Sequence, residues 1–424
     1  MPLRQVLLRL DPGADRLMRL SRLYAVASVP ALWLVVLVMG WPAGDGHHDL
    51  SGATLGHDLS HIWVAGRMAL AGRAAEIYDI PLYHRHLVET FGPDAALFAW
   101  HYPPVFLLVA ASLATLPLPA AMLAWGVASL LLIAGALRAI LGEWRAVIIG
   151  LAAPSIFDCL GYGQNGLLTA GLLAFGLVLA DRRPYLAGVF LGLLCYKPQL
   201  AVLAPILMMA TGRWRVVLAT GASATAAMAL SALLFGPDVW IAFLHSLSET
   251  NLVIFREAWG SLALNASAFG AVRLEGGSIG LAWAVQIAVA VLAVGVTLRL
   301  WLKPASAAMR NAVLLAAIPL VSPYMPVYDL AVLVPAGAFF IMGAKEHGGL
   351  QPAERIAILA LAALAFDPRS LTTATHVPCG FILAAGAYAL AVAGARRRFG
   401  VADRHKPQAL QAWSDPARAT AAHL

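Results

Sequence analysis

The stretch PAAMLAWGVASLLLIAGALRAIL, residues 119–141, carries a single charge, Arg138. A helix of that length and polarity is what crosses the roughly 30 Å hydrocarbon core of a bilayer, where every backbone polar group must be satisfied within the helix. Comparable apolar runs lie near 24–41, 103–118, 145–160, 166–181, 185–211, 214–236, 279–302, 311–326, 327–343, 355–371 and 376–395. The expectation is an all-α integral membrane protein with about twelve transmembrane helices. Several runs are short and contain proline, which predicts broken or tilted helices.

Composition agrees. Hydrophobic residues make up 61% of the 424 and charged residues 12%, with a mean hydropathy of +0.78. A soluble domain carries about 25% charged residues, so no soluble surface could be built from so few. The net charge is +7, with four lysines among the 29 basic residues. A basic excess can signal nucleic acid. Here the arginines flank apolar runs, which is a signal of membrane orientation, and no nucleic-acid partner is expected.

Arg4, Arg9, Arg16, Arg19 and Arg22 precede the run from Tyr24 to Trp41. No cleavage site follows, so 1–23 reads as a cytoplasmic segment before a first membrane helix. Residues 24–398 then form one transmembrane domain, and 399–424 a polar, disordered cytoplasmic tail. Arg396–Arg398, Arg213 with Arg215, and Lys303 with Arg310 mark inner turns. One conflict stays open. Arg182 and Arg183 also look cytoplasmic, yet the residues between them and Arg213 are too few for two crossings. Either the 182 pair faces out, or 185–211 re-enters without crossing.

Two long stretches are not simple spans. The first, 42–102, lies outside the cytoplasm and holds amphipathic segments at Leu59–Ala71 and Leu82–Phe91, read as interfacial helices. The second is 237–278. In the first, His57-Asp58-Leu59-Ser60-His61-Ile62-Trp63 opens a helix. Asp58 stands where an N-cap would, and a carboxylate there also suits a general base acting on a hydroxyl. His57 and His61 share a helical face as zinc ligands do, but no HExxH and no cysteine accompany them, so no metal is expected. His101-Tyr102-Pro103-Pro104 starts a helix sharply. Gly161-Tyr162-Gly163-Gln164-Asn165-Gly166 interrupts two apolar runs with polar side chains that lipid would penalise. Lys197, in Cys195-Tyr196-Lys197-Pro198-Gln199, is the lysine well inside an apolar run. Such a charge wants an anion, such as a lipid carrier's phosphate, unless it reaches an interface. Ser322-Pro323-Tyr324-Met325-Pro326-Val327-Tyr328-Asp329 makes a rigid turn whose acid can bind sugar, pair with a base or cap a helix. Cys159, Cys195 and Cys379 read as buried spectators. There is no GxxxxGK[ST] and no Asp-x-Asp, and the glycines of 161–166 lie between apolar helical runs and not in the strand–turn–helix setting of a Rossmann fingerprint, which argues against nucleotide donors and cofactors.

These residues, taken in order, resemble glycosyltransferase family 87 of the GT-C superfamily, over about Leu20 to Arg398. The matching positions are Asp58, Trp63, Ala65-Gly66-Arg67, Gly72, Tyr78-Asp79, Tyr102-Pro103-Pro104, Gly163-Gln164-Asn165 and Lys197-Pro198-Gln199. The resemblance implies inverting transfer of a sugar, usually mannose, from a polyprenyl-phosphate carrier to a glycan or glycolipid acceptor on the periplasmic face of the inner membrane, with Asp58 as base. Late in the chain, Ser322-Pro323-Tyr324 and Tyr328-Asp329 replace the family's Ser-Trp-x-His-like turn, and a pentose such as arabinose is the alternative sugar. The expected substrate contacts are His57, His61, Arg67, His101, Tyr102, Gln164, Asn165, Lys197, Gln199, Tyr324, Tyr328 and Asp329. The competing class is a transporter or flippase of a lipid-linked or anionic substrate, for which a polar path would reach both sides.

Overall fold

The computed structural model describes residues 54–251, 262–303 and 306–402, with positions 16, 19, 44, 46–48 and 255 besides. The helix read over Tyr24–Trp41 and the tail from 403 onward lie outside the described residues. Those described are helical throughout, apart from turns and two isolated bridges, His48–Thr54 and Asn265–Pro326.

Among the described residues, five helices are long and apolar enough to cross a membrane: Leu118–Leu141, Trp214–Phe235, Ile279–Trp301, Val327–Lys345 and Cys379–Arg398. Two further pairs, Trp144–Leu151 with Pro154–Gly161 and Pro352–Leu364 with Pro368–Thr375, bend by 62° and 74°, which raises the count to seven if each is one span. Among the described residues, helix length thus supports five to seven full spans, against the about twelve expected of the whole sequence. Proline is the reason. Pro154, Pro184, Pro198 and Pro368 each sit in the first turn of a new helix. A ring there lacks the amide that would continue the preceding helix.

Glycine sets the packing, as it does where lipid gives helices no hydrophobic reason to associate. Pro184–Gly192 lies on Trp214–Phe235, and a Cβ on Gly188 would come within 2.6 Å of Val216 O, one on Gly192 within 2.5 Å of Thr220 O. Residue numbers rise together along the two helices, so they run parallel and start at the same end. Arg213 Nε donates to Asp181 at 2.8 Å across that end. The chain between them therefore goes in as far as Lys197 and comes back. Of the two alternatives left by the arginines, re-entry is the one observed.

One end of the bundle collects the basic residues. Arg213 and Arg310 both lie over the Trp301 ring. Met309 packs on Gly343, Lys345 pairs with Glu143, and Arg397 and Arg398 both hold Glu354. The first loop occupies the opposite end.

Asp58–Leu70 and Ile80–Phe91 form helices close to where the amphipathic segments were read. The first is no interfacial helix, however. Residues on every side of it, Leu59 to Gly66 with Met68 and Ala69, are buried, and Arg67 alone among them is exposed. Gly66 sits against the backbone of Ala110, and Trp63, 4% exposed, donates to Leu116 O at 2.9 Å. Trp63 is therefore a packing residue and not a membrane anchor. The second long stretch is also structured. It contains a helix over Asp238–Asn251, whose Phe243 meets Tyr78, and another over Ala268–Leu274.

Single cysteines placed at Pro93, Gly212 and Glu346 in a background lacking Cys159, Cys195 and Cys379 test this topology. Positions 212 and 346 should label from one side of sealed vesicles and 93 from the other. Labelling of 212 from the same side as 93 would contradict the re-entrant path.

Candidate functional site

The turn between Pro154–Gly161 and Gly166–Leu179 builds the upper part of the site. Gly163 has φ +68, and a Cβ on it would stand 2.4 Å from Leu59 Cβ, so only glycine lets the turn reach the first-loop helix. Trp125 Nε1 donates to Gly163 O at 3.0 Å, and Asp58 N donates to Tyr162 O at 3.1 Å. The result is that Gln164 Nε2 donates to the Asp58 carboxylate. Asp58 is the first residue of its helix, preceded by His57 at φ 37, a left-handed value that a residue with a Cβ rarely adopts. Such strain concentrates at functional sites. The capping role weighed for Asp58 gives way to this cross-chain bond.

Asp58 is half-buried. Burial pushes its pKa up to about 6, against the pull of the Gln164 hydrogen bond and the charges of His57 and Arg369. A carboxylate so placed is ionised at neutral pH yet basic enough to take a proton.

The lower part is built on Lys197. Its ammonium donates to both oxygens of Asp329, at 2.7 and 2.8 Å, and the two residues are 4% and 3% exposed. Neither reaches an interface. The anion that Lys197 requires is thus supplied by the chain, which removes the sequence argument for a phosphate at its Nζ. Lys197 also lies 5.4 Å from the Tyr328 ring centroid and 6.0 Å from that of Tyr102. A Cβ on Gly166 would stand 2.5 Å from Tyr328 O, so glycine again permits the approach. Cys159, no mere spectator, donates to the same carbonyl at 3.4 Å.

Tyr102 and Tyr328 flank the Lys197–Asp329 pair, and Tyr102, Tyr324 and Tyr328 lie within electrostatic reach of both Asp58 and Asp329. Asn165 is fully buried, with the Tyr102 hydroxyl as a side-chain partner. The turn carrying Tyr324 is braced from the second long stretch: Ala266 N donates to Met325 O, and Ser267 Oγ and Asn265 Nδ2 to Pro323 O.

Asp58, Tyr102, Gln164, Asn165, Lys197, Tyr324, Tyr328 and Asp329 are therefore brought together, with His57 at the rim, its ring 5.4 Å from that of Tyr162. The other expected contacts are elsewhere. Arg67 lies 4.9 Å over Trp63, nine residues along the helix from Asp58 and so about 13 Å away. His61 is stacked on Phe98 at 3.7 Å, and burial lowers its pKa to about 3, which keeps it neutral. Burial likewise lowers His101 to about 4. Gln199 is on the exposed side of a four-residue helix, Pro198–Ala201. A residue not foreseen is Tyr196, bonded to Thr169 at 2.6 Å and close to Tyr102. Among the described residues, no three metal-ligating side chains converge.

An apolar groove of about 620 Å³ flanks this site. Asp158, Val327 and Pro368 line it at the site end, and Glu143, Arg145 and Lys345 at the basic end. Val327–Lys345 forms one wall, so the groove is close to 30 Å long, about the thickness of the hydrocarbon core.

The model of Glycosyltransferase family 87 matches residues 100–323, just over half of the chain. No curated protein and no solved structure matches it.

Breaking the buried pair from one side should be costly. Lys197→Met leaves an uncompensated carboxylate and should destabilise the protein by about 3–5 kcal/mol, while Lys197→Met with Asp329→Leu should recover most of that loss. Thermal unfolding in detergent checks both. A single variant that melts like the wild type would contradict the pairing.

Proposed function

Because the chain belongs to glycosyltransferase family 87, we propose that it is an inverting enzyme that takes a sugar, mannose first, from a polyprenyl-phosphate carrier. The acceptor is a hydroxyl of a glycan or glycolipid. The observation that carries the reading is Asp58: a half-buried carboxylate with its pKa raised to about 6, held by Gln164, in a bundle that also holds an apolar groove as long as a bilayer is thick.

The chemistry follows from that placement. An acceptor hydroxyl attacks the anomeric carbon while Asp58 takes its proton. The bond between that carbon and the phosphate oxygen breaks, and polyprenyl phosphate leaves as a stable anion that needs no strong general acid. The groove holds the polyprenyl chain. Asn165, Tyr102, Tyr324 and Tyr328 supply hydrogen bonds and ring faces to the sugar. The basic end of the bundle is cytoplasmic by the charge bias of inner loops, so Asp58 faces the periplasm of a bacterial inner membrane.

Purified protein and a panel of polyprenyl-phosphate sugars test this. Asp58→Asn keeps the shape and the Gln164 contact but removes the basicity, and transfer should fall at least about 100-fold. The wild-type rate should drop as pH falls through about 6, where the base becomes protonated. The variant should melt no lower than the wild type at neutral pH, since it deletes a charge that burial disfavours. Near-wild-type turnover by Asp58→Asn would remove the base from this account.

A further inference from the structure

The spanning helix Trp214–Phe235 starts at the basic end, so Phe235 lies on the side of the first loop. Met228, Leu230, Leu233 and Leu234 along its second half are all exposed, as a helix in lipid requires. Gly236, at φ +85, and Pro237 then turn the chain into the helix Asp238–Asn251. Helical spacing divides this helix into three faces. Val239, Phe243 and Ser246 form the packed face: Val239 is fully buried, and the Phe243 ring meets that of Tyr78, centroids 5.7 Å apart. Trp240 Nε1 donates to Ser231 Oγ at 3.1 Å, which ties the first turn back onto the spanning helix. Ile241, Leu244 and Leu247 form the second face and are 51%, 59% and 41% exposed. Asp238, His245 and Glu249, all exposed, form the third. Apolar side chains exposed singly need no explanation, but this stripe continues the exposed apolar surface of a spanning helix across a two-residue turn. An apolar stripe beside a polar one is the pattern of a helix lying in a membrane interface.

We propose that Asp238–Asn251 lies in the lipid leaflet on the side of Asp58. Ile241, Leu244 and Leu247 sit among the upper carbons of the lipid chains, and Asp238, His245 and Glu249 stand at the headgroups. The partner of this surface is therefore lipid, because the neighbouring surface on Trp214–Phe235 is a lipid surface too. The packed face gives the placement a consequence. Phe243 rests on Tyr78, Tyr78 Oη donates to Tyr102 O at 2.9 Å, and Tyr102 flanks the Lys197–Asp329 pair. A helix seated in the leaflet thus bears, through two aromatic rings, on the backbone of a site residue. The inference does not rest on the transfer reaction.

Fluorescence quenching tests this on the full chain lacking its native cysteines, reconstituted in phosphatidylcholine vesicles. A small fluorophore is attached to Leu244→Cys, to Glu249→Cys and, within the spanning helix, to Met228→Cys. Phosphatidylcholine brominated along its chains should quench positions 228 and 244. Bromines at different chain carbons should place 244 about 5–10 Å below the headgroups and 228 deeper. Iodide in the buffer on both sides of the membrane should quench 249 and spare the other two. Ile241→Cys serves as the second variant should Leu244→Cys lower the melting temperature, and the same quenching is expected of it. Quenching of 244 by iodide and not by brominated chains would put the stripe in water and overturn the assignment. Protection of 244 from both quenchers would mean that protein covers it, whether a second copy or another segment of this chain, and would overturn it equally. Neither result bears on Asp58, whose role as base is judged by transfer alone.

Discussion

Everything around the site depends on one contact, the bidentate bond between Lys197 and Asp329. Two charges this deep each carry a desolvation penalty of several kcal/mol, which only close pairing offsets. The break in the re-entrant hairpin and the turn at Val327–Val332 are therefore bound to each other. The turn in turn presents Tyr328 O to Cys159 and to the gap left by Gly166. That contact sets where Gly166–Leu179 begins, and with it the turn that brings Gln164 to Asp58. A line of close contacts thus runs from the deepest charges to the rim of the first loop.

The two acids of the site carry different burdens. Asp329 is paired through both oxygens with Lys197 and acts as a structural strut. Asp58 has a single side-chain hydrogen bond from Gln164, a strained residue before it and a raised pKa. Native structures normally relieve such costs, and sites that keep them do so where chemistry requires it. Tyr102, Tyr324, Tyr328 and the amide of Asn165 beside Tyr102 offer ring faces, hydroxyls and an amide, groups that suit the polyol of the proposed reaction.

Much of this was legible in the sequence, because lipid makes polar interruptions conspicuous. Gln164, Asn165, Lys197 and Asp329 stand out against apolar runs, and the two first-loop helices were readable from their periodicity. What an element packs against was not. The pattern of Asp58–Leu70 is the same whether its apolar side meets lipid or protein. Only Gly66, which admits Ala110, hints at protein. The partner of Lys197 lies 132 residues away, beyond any local pattern. The separate helix Pro368–Thr375 was hidden in what reads as one apolar run over 355–371. The signal was there in Asp367-Pro368, a cap followed by a first-turn proline, which starts a new helix and breaks the run. The path of 185–211 was undecidable from charge, since arginines flank it on both sides, and was resolved by glycine contacts that fix helix direction.

The central claim is that one carboxylate, Asp58, serves a single displacement. A single displacement inverts the anomeric centre, whereas retention demands two displacements through a second nucleophilic carboxylate. The most direct measurement is the anomeric configuration of the product, read by NMR from the one-bond carbon–proton coupling of the transferred sugar and compared with that of the donor. The account predicts the opposite configuration in the product. A product with the donor's configuration would contradict it.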